Sequence, residues 1–416
     1  MTDSIADRKP RPLMPVREAR DFLLAAARPV DDGDVLPTLE ANGRVLAQDI
    51  VASINVPGHD NTQMDGYAVR AADLAGAATA PVTMPVSQRI AAGHVGQPLQ
   101  PGTAARIFTG AMIPDGADAV VMQEQCTANA DGTVTVSHAP AAGEWVRRAG
   151  EDIRDGATIL SAGTRLRSQE LGLAASIGMA SLPVLRRLRV AVFFTGDELT
   201  MPGEALEAGG IYNSNRFTLR ALLENLGCTI SDYGIVPDAL DATREVLRRA
   251  AQEHDLIITS GGVSVGEEDH IKPAVEAEGR LNMWQIAVKP GKPLAFGEVG
   301  QAFFIGLPGN PVSSFMTFLL FVRPFILRLQ GVVGDAAITP KAFSLRADFH
   351  WPKADKRNEF LRARMNAEGG LDLFPQQGSG VLTSTVWGDG VVDNPPGQVI
   401  APGDTVRFIP FTELLS

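Results

Sequence analysis

Apolar residues at Val16, Ala19, Leu23 and Ala26, with polar positions between them, predict an amphipathic helix over residues 14–27, behind a loose tail at 1–12. From about residue 51 to 146 the pattern shortens to β-type runs, Ala119-Val-Val-Met122 and Thr133-Val-Thr-Val136 among them. Turn pairs such as Pro57-Gly58, Pro101-Gly102 and Asp131-Gly132 separate these runs, which predicts a small all-β module. A helical pattern returns over 168–178. Packing of that helix on the first one would make the β module an insertion.

The pattern changes again at about residue 188. Residues 189–194 form a continuous apolar strand that runs into Thr195-Gly-Asp-Glu198. Ser214 is placed to cap a helix carrying Leu222, Leu223 and Leu226, with Gly227 at its stop. A strand at 229–236, a helix at 241–254, and strands at 256–259 and 301–307 follow. Asn310 as N-cap and Pro311 at the first helical position open a long helix. Alternating strand and helix predict a doubly wound parallel sheet with helices on both faces. Beyond residue 331 β-type runs return at 342–349, 359–365 and 405–409, which predicts a C-terminal β-barrel. The fold class is therefore multidomain, α/β plus all-β. The expected divisions are 13–50 with 145–186, a small discontinuous helical domain; 51–144, the inserted β-rich module; 187–330, the α/β domain; and 331–416, the barrel.

Composition narrows the function. Among 416 residues, 37 Lys and Arg stand against 48 Asp and Glu, a formal charge of −11. That balance argues against nucleic acid as a partner, because phosphate backbones need a basic face. Two cysteines, Cys126 and Cys228, make no disulfide framework, so a reducing, cytoplasmic setting is expected. The apolar run at 315–322 is interrupted by Thr317 and stops at Arg323, well short of the ~20 residues that span a bilayer.

In an open parallel sheet, ligands bind beyond the carboxyl ends of the strands. Three strand ends here deliver acids: Asp197 and Glu198, then Asp238, then Glu267-Glu268-Asp269. Each alone reads equally as a solvated turn residue. Together on one edge they repel one another unless a cation sits among them, and oxygen-only donors suit Mg²⁺. Ser260 to Gly266 is rich in glycine and serine, as a loop presenting N–H groups to an anion must be. Acids stand where a nucleotide-triphosphatase loop carries Lys-Ser/Thr, so that class is disfavoured. Val288-Lys-Pro-Gly-Lys-Pro293 sets Lys289 and Lys292 on a proline-stiffened turn suited to a phosphate or oxyanion. In Asp60-Asn-Thr-Gln-Met-Asp-Gly-Tyr-Ala68, Gly66 is expected to allow a turn and Tyr67 to pack. Ser313 and Ser314 fall in a first helical turn, where a hydroxyl caps N–H groups or meets a phosphate. No histidine has zinc-site spacing, and no hydrolase elbow is present.

These motifs, joined by Arg106-Ile-Phe-Thr-Gly110, Gly150-Glu-Asp-Ile153 and Leu307-Pro-Gly-Asn-Pro-Val312, resemble the MoeA-type molybdopterin molybdenumtransferases, the family that includes the C-terminal domain of gephyrin. The resemblance runs from about residue 14 to the C-terminus. It implies a four-domain homodimer, with a cleft shared between the β module of one chain and the α/β domain of the other. It implies adenylylated molybdopterin and molybdate as substrates, Mg²⁺ as cofactor and AMP as a product. Residue by residue, it implies Asp238 and Asp269 at the metal, and Gly261, Gly262 and Ser264 around the pyrophosphate. Lys289 and Lys292 match anion-binding lysines, Glu198, Pro308 and Pro311 match functionally sensitive positions, and Asn310 and Ser313 are expected among the substrate-binding residues beside them. Asp60, Asp65, Thr109 and Asp152 match the other half of the cleft. Arg357 and Ser379 fall where the family handles molybdate.

The chain departs from the pattern at Thr62-Gln63, where Ser-Ala is common, and at Gln285, where some relatives carry Lys. A missing cation at Gln285 would weaken anion affinity unless Arg357 substitutes. Two rivals stand beside the insertase. One is the pathway's adenylyltransferase, which is also an expected contact partner. The other is a gephyrin-like scaffold without catalysis. The flanking β modules weigh against the first, and the absence of a neuronal-type linker against the second.

Overall fold

The computed structural model describes residues 13–262 and 270–415. Its central sheet has the strand order Thr229–Val236, Arg189–Thr195, Leu256–Ser260, Ala302–Leu307, Pro293–Val299, Gly279–Gln285. Successive side chains of a strand point to opposite faces, and both faces are covered here. Val190, Val192 and Phe194 join the larger core with Phe303 and Ile305. Ala191, Phe193, Ile257 and Phe304 fill the opposite core, against helices Leu240–Glu253 and Ile271–Glu278. This two-sided burial explains the unbroken apolar runs in the sequence.

The sheet is mixed, not wholly parallel. Its first four strands run parallel, but Pro293–Val299 and Gly279–Gln285 pair antiparallel. No strand was expected there, because the alternation in Gly279–Gln285 is half polar. Glycines let the two backbones close: a Cβ on Gly279 would lie 1.9 Å from the Glu298 carbonyl oxygen.

The first helix, Val16–Ala26, does not share a core with the helix Ser168–Ser176. Ala19 and Leu23 are fully buried against the α/β core, beside helix Arg323–Leu329, whereas Ala174 belongs to a separate cluster. Arg28, just beyond it, stacks over Phe303 at 4.1 Å and pairs with Glu298 at 2.7 Å. The inserted module is instead closed off by strand pairing. Gly33–Pro37 pairs with Ser181–Leu185, and Ile50–Val51 with Thr158–Leu160. Between them, a six-stranded sheet carries the module's own core around Tyr67, Val69 and Val121. Gly66 is not in a turn. It lies in the strand Gly66–Val69, where a Cβ would come 2.0 Å from the Val121 carbonyl oxygen.

Helix Ser214–Asn225 is capped by Asn213, not Ser214, the Asn213 side chain accepting a hydrogen bond from Arg216 N. Asn310 and Pro311 do stand at the N-cap and first turn of the long helix. The long helical run expected there spans Pro311 to Leu329, 19 residues, and its most apolar stretch is 89% buried inside the fold. It is the α/β unit's core helix.

In the C-terminal region, strands Asn358–Met365, Gly370–Leu373, Phe343–Ala347, Thr405–Pro410 and Gly390–Asn394 close on themselves as a five-stranded barrel. Val288–Lys289 joins it in parallel, with Lys289 in register with Glu359. That short pairing ties the lysine turn of the α/β unit to the barrel wall.

Candidate functional site

Strand register brings Phe194 beside Ser260, and Ser260 beside Leu307, so three strands end at one level. Beyond them, between the sheet and the barrel, lies a cavity of about 710 Å³. Its floor is the sheet edge, with Thr195, Ser260, Gly261 and Gly262. The lysine turn forms one wall, the first turn of the Pro311 helix another, and Arg357 with residues 377–379 of the barrel region a third.

Each wall is held by identifiable bonds. The Ser260 hydroxyl donates to the Pro308 carbonyl at 3.0 Å and accepts from Asn215 Nδ2 at 2.9 Å. Asn215 Nδ2 also donates to the Gly309 carbonyl at 2.8 Å, so one side chain fastens two loops. Gly261 and Gly262 have φ of +102° and +62°, conformations that side chains resist; Gly261 N still donates to the Leu307 carbonyl at 3.1 Å, so the chain leaves the strand ladder only at Gly262. Ser313 is 4% exposed and lines the cavity at the helix N-terminus. Val312 N donates to the Ser379 carbonyl at 2.9 Å, which joins that helix to the barrel loop. The Gln377 amide, bonded at both ends to the Arg362 backbone, steadies the same loop.

Three cations line this cavity: Lys289, Lys292 and Arg357. Lys289 Nζ lies 2.8 Å from Glu359 Oε1, 3.5 Å from Asp355 Oδ2 and 5.7 Å from the centre of the Trp351 ring. Arg357 is clasped by both oxygens of Asp355, at 3.0 and 2.8 Å. The guanidinium bonds of Arg357 hold the Asp355 carboxyl well below the usual carboxylate range, with help from its backbone N–H and the charge on Lys289. Lys292 is exposed, and among the described residues no ion pair engages it. The two-lysine turn is therefore asymmetric, with one ammonium pinned and the other open.

The structure places eleven predicted residues on this one cavity: Glu198, Gly261, Gly262, Lys289, Lys292, Pro308, Asn310, Pro311, Ser313, Arg357 and Ser379. Asp238 follows the sheet's edge strand, half-buried, and is not among the lining residues. Ser264 and Asp269, with Glu267 and Glu268, lie outside the described residues. Among the described residues no three His, Cys, Asp or Glu side chains gather as a metal site.

Asp60, Asp65, Thr109 and Asp152 stand on or beside the inserted module, and none lines the cavity. Asp60 accepts from Ala149 N at 2.8 Å and from Arg148 Nη1 at 2.6 Å; the Ala149 bond first, then the Arg148 guanidinium, hold its carboxyl below the usual range. Asp65 Oδ1 accepts from both the backbone N and the hydroxyl of Thr109, at 2.8 and 2.7 Å, and its carboxyl is lowered mainly by those two bonds. Asp152 is exposed.

Sequence reasoning missed Asn215, Asp355 and Glu359. The signal for Glu359 was present. It shares one face of its strand with Leu361 and Ala363, so an acid sits on an inward, apolar face.

Residues 14–178 match the MoeA N-terminal region (domains I and II). Residues 191–328 match a probable molybdopterin binding domain, and residues 344–411 the MoeA C-terminal region (domain IV). A molybdopterin molybdenumtransferase of Haemophilus influenzae is 42% identical over 97% of this chain and 100% of its own length. The chain belongs to the MoeA family. As a member it is an enzyme, a molybdopterin molybdenumtransferase of molybdenum cofactor biosynthesis. A relative of that name from Nostoc is 35% identical, covering 89% of this chain and 87% of the relative. The crystal structure of a molybdopterin biosynthesis MoeA protein from Pyrococcus horikoshii superposes with a TM-score of 0.82 at 29% identity, over 96% of this chain and all of that one. The mixed sheet and closed barrel are thus the family's architecture.

Proposed function

We propose that this enzyme transfers molybdenum from molybdate to adenylylated molybdopterin, releasing AMP in a Mg²⁺-dependent reaction in the cytoplasm. The observation that carries the reading is the meeting of three cations, two positive-φ glycines and a helix N-terminus on one cavity. Each of these binds anions, and the substrates offer two kinds: a pyrophosphate ester and a metal oxyanion.

Gly262, with Ser264, receives the pyrophosphate on backbone N–H groups, and Gly261, without a side chain, lets the ester come close to the loop. Ser313 and Asn310 stand at the helix start, where the dipole favours negative charge. Lys292, Lys289, Arg357 and Ser379 hold molybdate close to the pterin, which turns a chance encounter into an oriented one. Pro308 and Pro311 stiffen the loop between them, and Glu198 guards the rim. Oxygen donors at the sheet's edge suit Mg²⁺ chemically, and among the described residues no hydrogen bond or ion pair occupies the Asp238 carboxylate. Asp238 with Asp269 would hold the ion, which when bound neutralises pyrophosphate charge.

The separation of Asp60, Asp65, Thr109 and Asp152 from the cavity supports a homodimer in which a second chain supplies them. The pathway's adenylyltransferase, which makes the adenylylated substrate, is the expected contact partner. The test is AMP release from adenylylated molybdopterin on adding molybdate and Mg²⁺. Lys292→Ala should lower it at least about tenfold. Co-expressed Asp60→Ala and Lys292→Ala chains should regain up to half the activity through one intact site. Release that ignores molybdate, or consumption of ATP in its place, would reverse the assignment.

A further inference from the structure

The Glu359 side chain is 1% exposed, yet it lies against a cation that lines the cavity. One oxygen accepts from Lys289 Nζ at 2.8 Å. The other accepts from Trp351 Nε1 at 2.8 Å and from Asn394 Nδ2 at 3.3 Å. The acid is locked by its second oxygen and by the strand register that sets it beside Lys289. Burying a carboxylate is costly unless it is paired and hydrogen-bonded, and both conditions are met here.

We propose that Glu359 is a positioning residue of the transfer site, a standing counter-anion that aims Lys289 at the cavity and weakens its grip on a divalent oxyanion. This rests on the reading that Lys289 and Lys292 hold molybdate. An incoming oxyanion must share the Lys289 ammonium with a carboxylate already bound to it. A unit negative charge about 6 Å from the ligand, in a partly screened site, weakens binding by roughly a hundredfold per ligand charge. Re-ordering one freed lysine side chain costs up to about tenfold in affinity. The first effect is larger, so the net action of Glu359 is to loosen the anion. Loose binding leaves sulfate and phosphate, which share the shape and charge, unable to occupy the site permanently, and it lets molybdate be surrendered to the pterin.

The experiment is calorimetric titration of molybdate and of sulfate into the full-length protein, with steady-state turnover alongside. Glu359→Gln, which keeps an acceptor for Trp351 and Asn394, should tighten both anions at least about tenfold, and should lower KM for molybdate and kcat together. Part of the effect runs through the shared ammonium, so in a Lys289→Met background Glu359→Gln should change anion affinity by a clearly smaller factor. Asp355→Asn, a partly exposed acid 3.5 Å from the same ammonium, should tighten binding by a smaller factor. It also serves as the test if Glu359→Gln does not fold. Unchanged or weaker anion binding in Glu359→Gln, or in Asp355→Asn where only that variant folds, overturns the proposal, as does an equal effect of Glu359→Gln with and without Lys289. The underlying reading fails separately, and takes the proposal with it, if Lys289→Met and Lys292→Ala both bind molybdate as the unaltered protein does.

Discussion

Gly291→Ala is the sharpest test of how the lysine turn is built. Gly291 sits between Lys289 and Lys292 with φ +107°, a region where an added side chain is strained. An ideal Cβ there would lie 2.4 Å from Thr317 Oγ1 and 3.3 Å from the Ser313 carbonyl oxygen. Thr317 is fully buried in the core helix, so the hydroxyl has little room to retreat. Forcing a non-glycine residue into such a conformation costs about 1–3 kcal/mol, and overpacking against a well-packed neighbour costs a similar amount. Together they predict about 2–6 kcal/mol of lost stability in the α/β unit, a fall of roughly 5–20 °C in Tm. The assay is thermal unfolding followed by tryptophan fluorescence, with molybdate titration in parallel. Thr317→Ala in the same chain should return the steric share but not the backbone share, and the Thr317 hydroxyl, which has no hydrogen-bond partner among the described residues, leaves little else to lose. A Gly291→Ala protein within about 2 °C of the original, with unchanged molybdate affinity, would refute the claim that this glycine sets the lysines.

Two further expectations follow from particular contacts. The folded-state carboxyl of Asp355 is depressed, so its clasp on Arg357 contributes stability that is fully present above the ordinary carboxylate range and is lost as pH falls through that range toward the folded value. Asp355→Asn should therefore be less stable near neutrality and show a shallower acid limb, measured as Tm from pH 7 to 3; parallel curves would contradict this. Gly66→Ala should loosen the inserted module by about 1–3 kcal/mol, because the clash is with the Val121 carbonyl group of the neighbouring strand and a backbone cannot rotate away. Hydrogen exchange across Gly66–Val69 and Ala119–Met122 would read that loosening, and unaltered protection would count against it.

Much of the fold was legible because burial on both faces leaves a plain mark. The runs leading to Thr195, Ser260 and Leu307 are apolar at successive positions, Val190 to Phe194, Leu256 to Ile258 and Ala302 to Leu307, and only a sheet covered on both faces accepts that. Asn310 and Pro311 announced their helix because few other residues suit both positions. The antiparallel hairpin of Gly279–Gln285 and Pro293–Val299 was hidden, since its pairing depends on glycines that admit a neighbouring backbone and on contacts made only in the folded chain. Choosing Ser214 over Asn213 as the cap was a one-residue error between two good capping types, which local torsions decide. In the candidate site, the cations and glycines could be read from local chemistry. The partner of Lys289 could not: Glu359 shows itself as an acid on an inward strand face, but it lies 70 residues from Lys289, and only the parallel pairing of Val288–Lys289 with the barrel brings them together. The same limit applies to Asp60 and Asp65, whose bonds to Arg148 and Thr109, 88 and 44 residues away, explain their ionisation but do not reach the cavity.

The central claim is that molybdate is held where the lysine turn, the barrel and the sheet edge meet. Anomalous X-ray scattering at the molybdenum edge, from a crystal grown with molybdate, tests it directly. A peak is expected inside the cavity within contact of Lys292 and Arg357, lost in Lys292→Ala. A peak found only on the inserted module, or an unchanged peak in that variant, would contradict it.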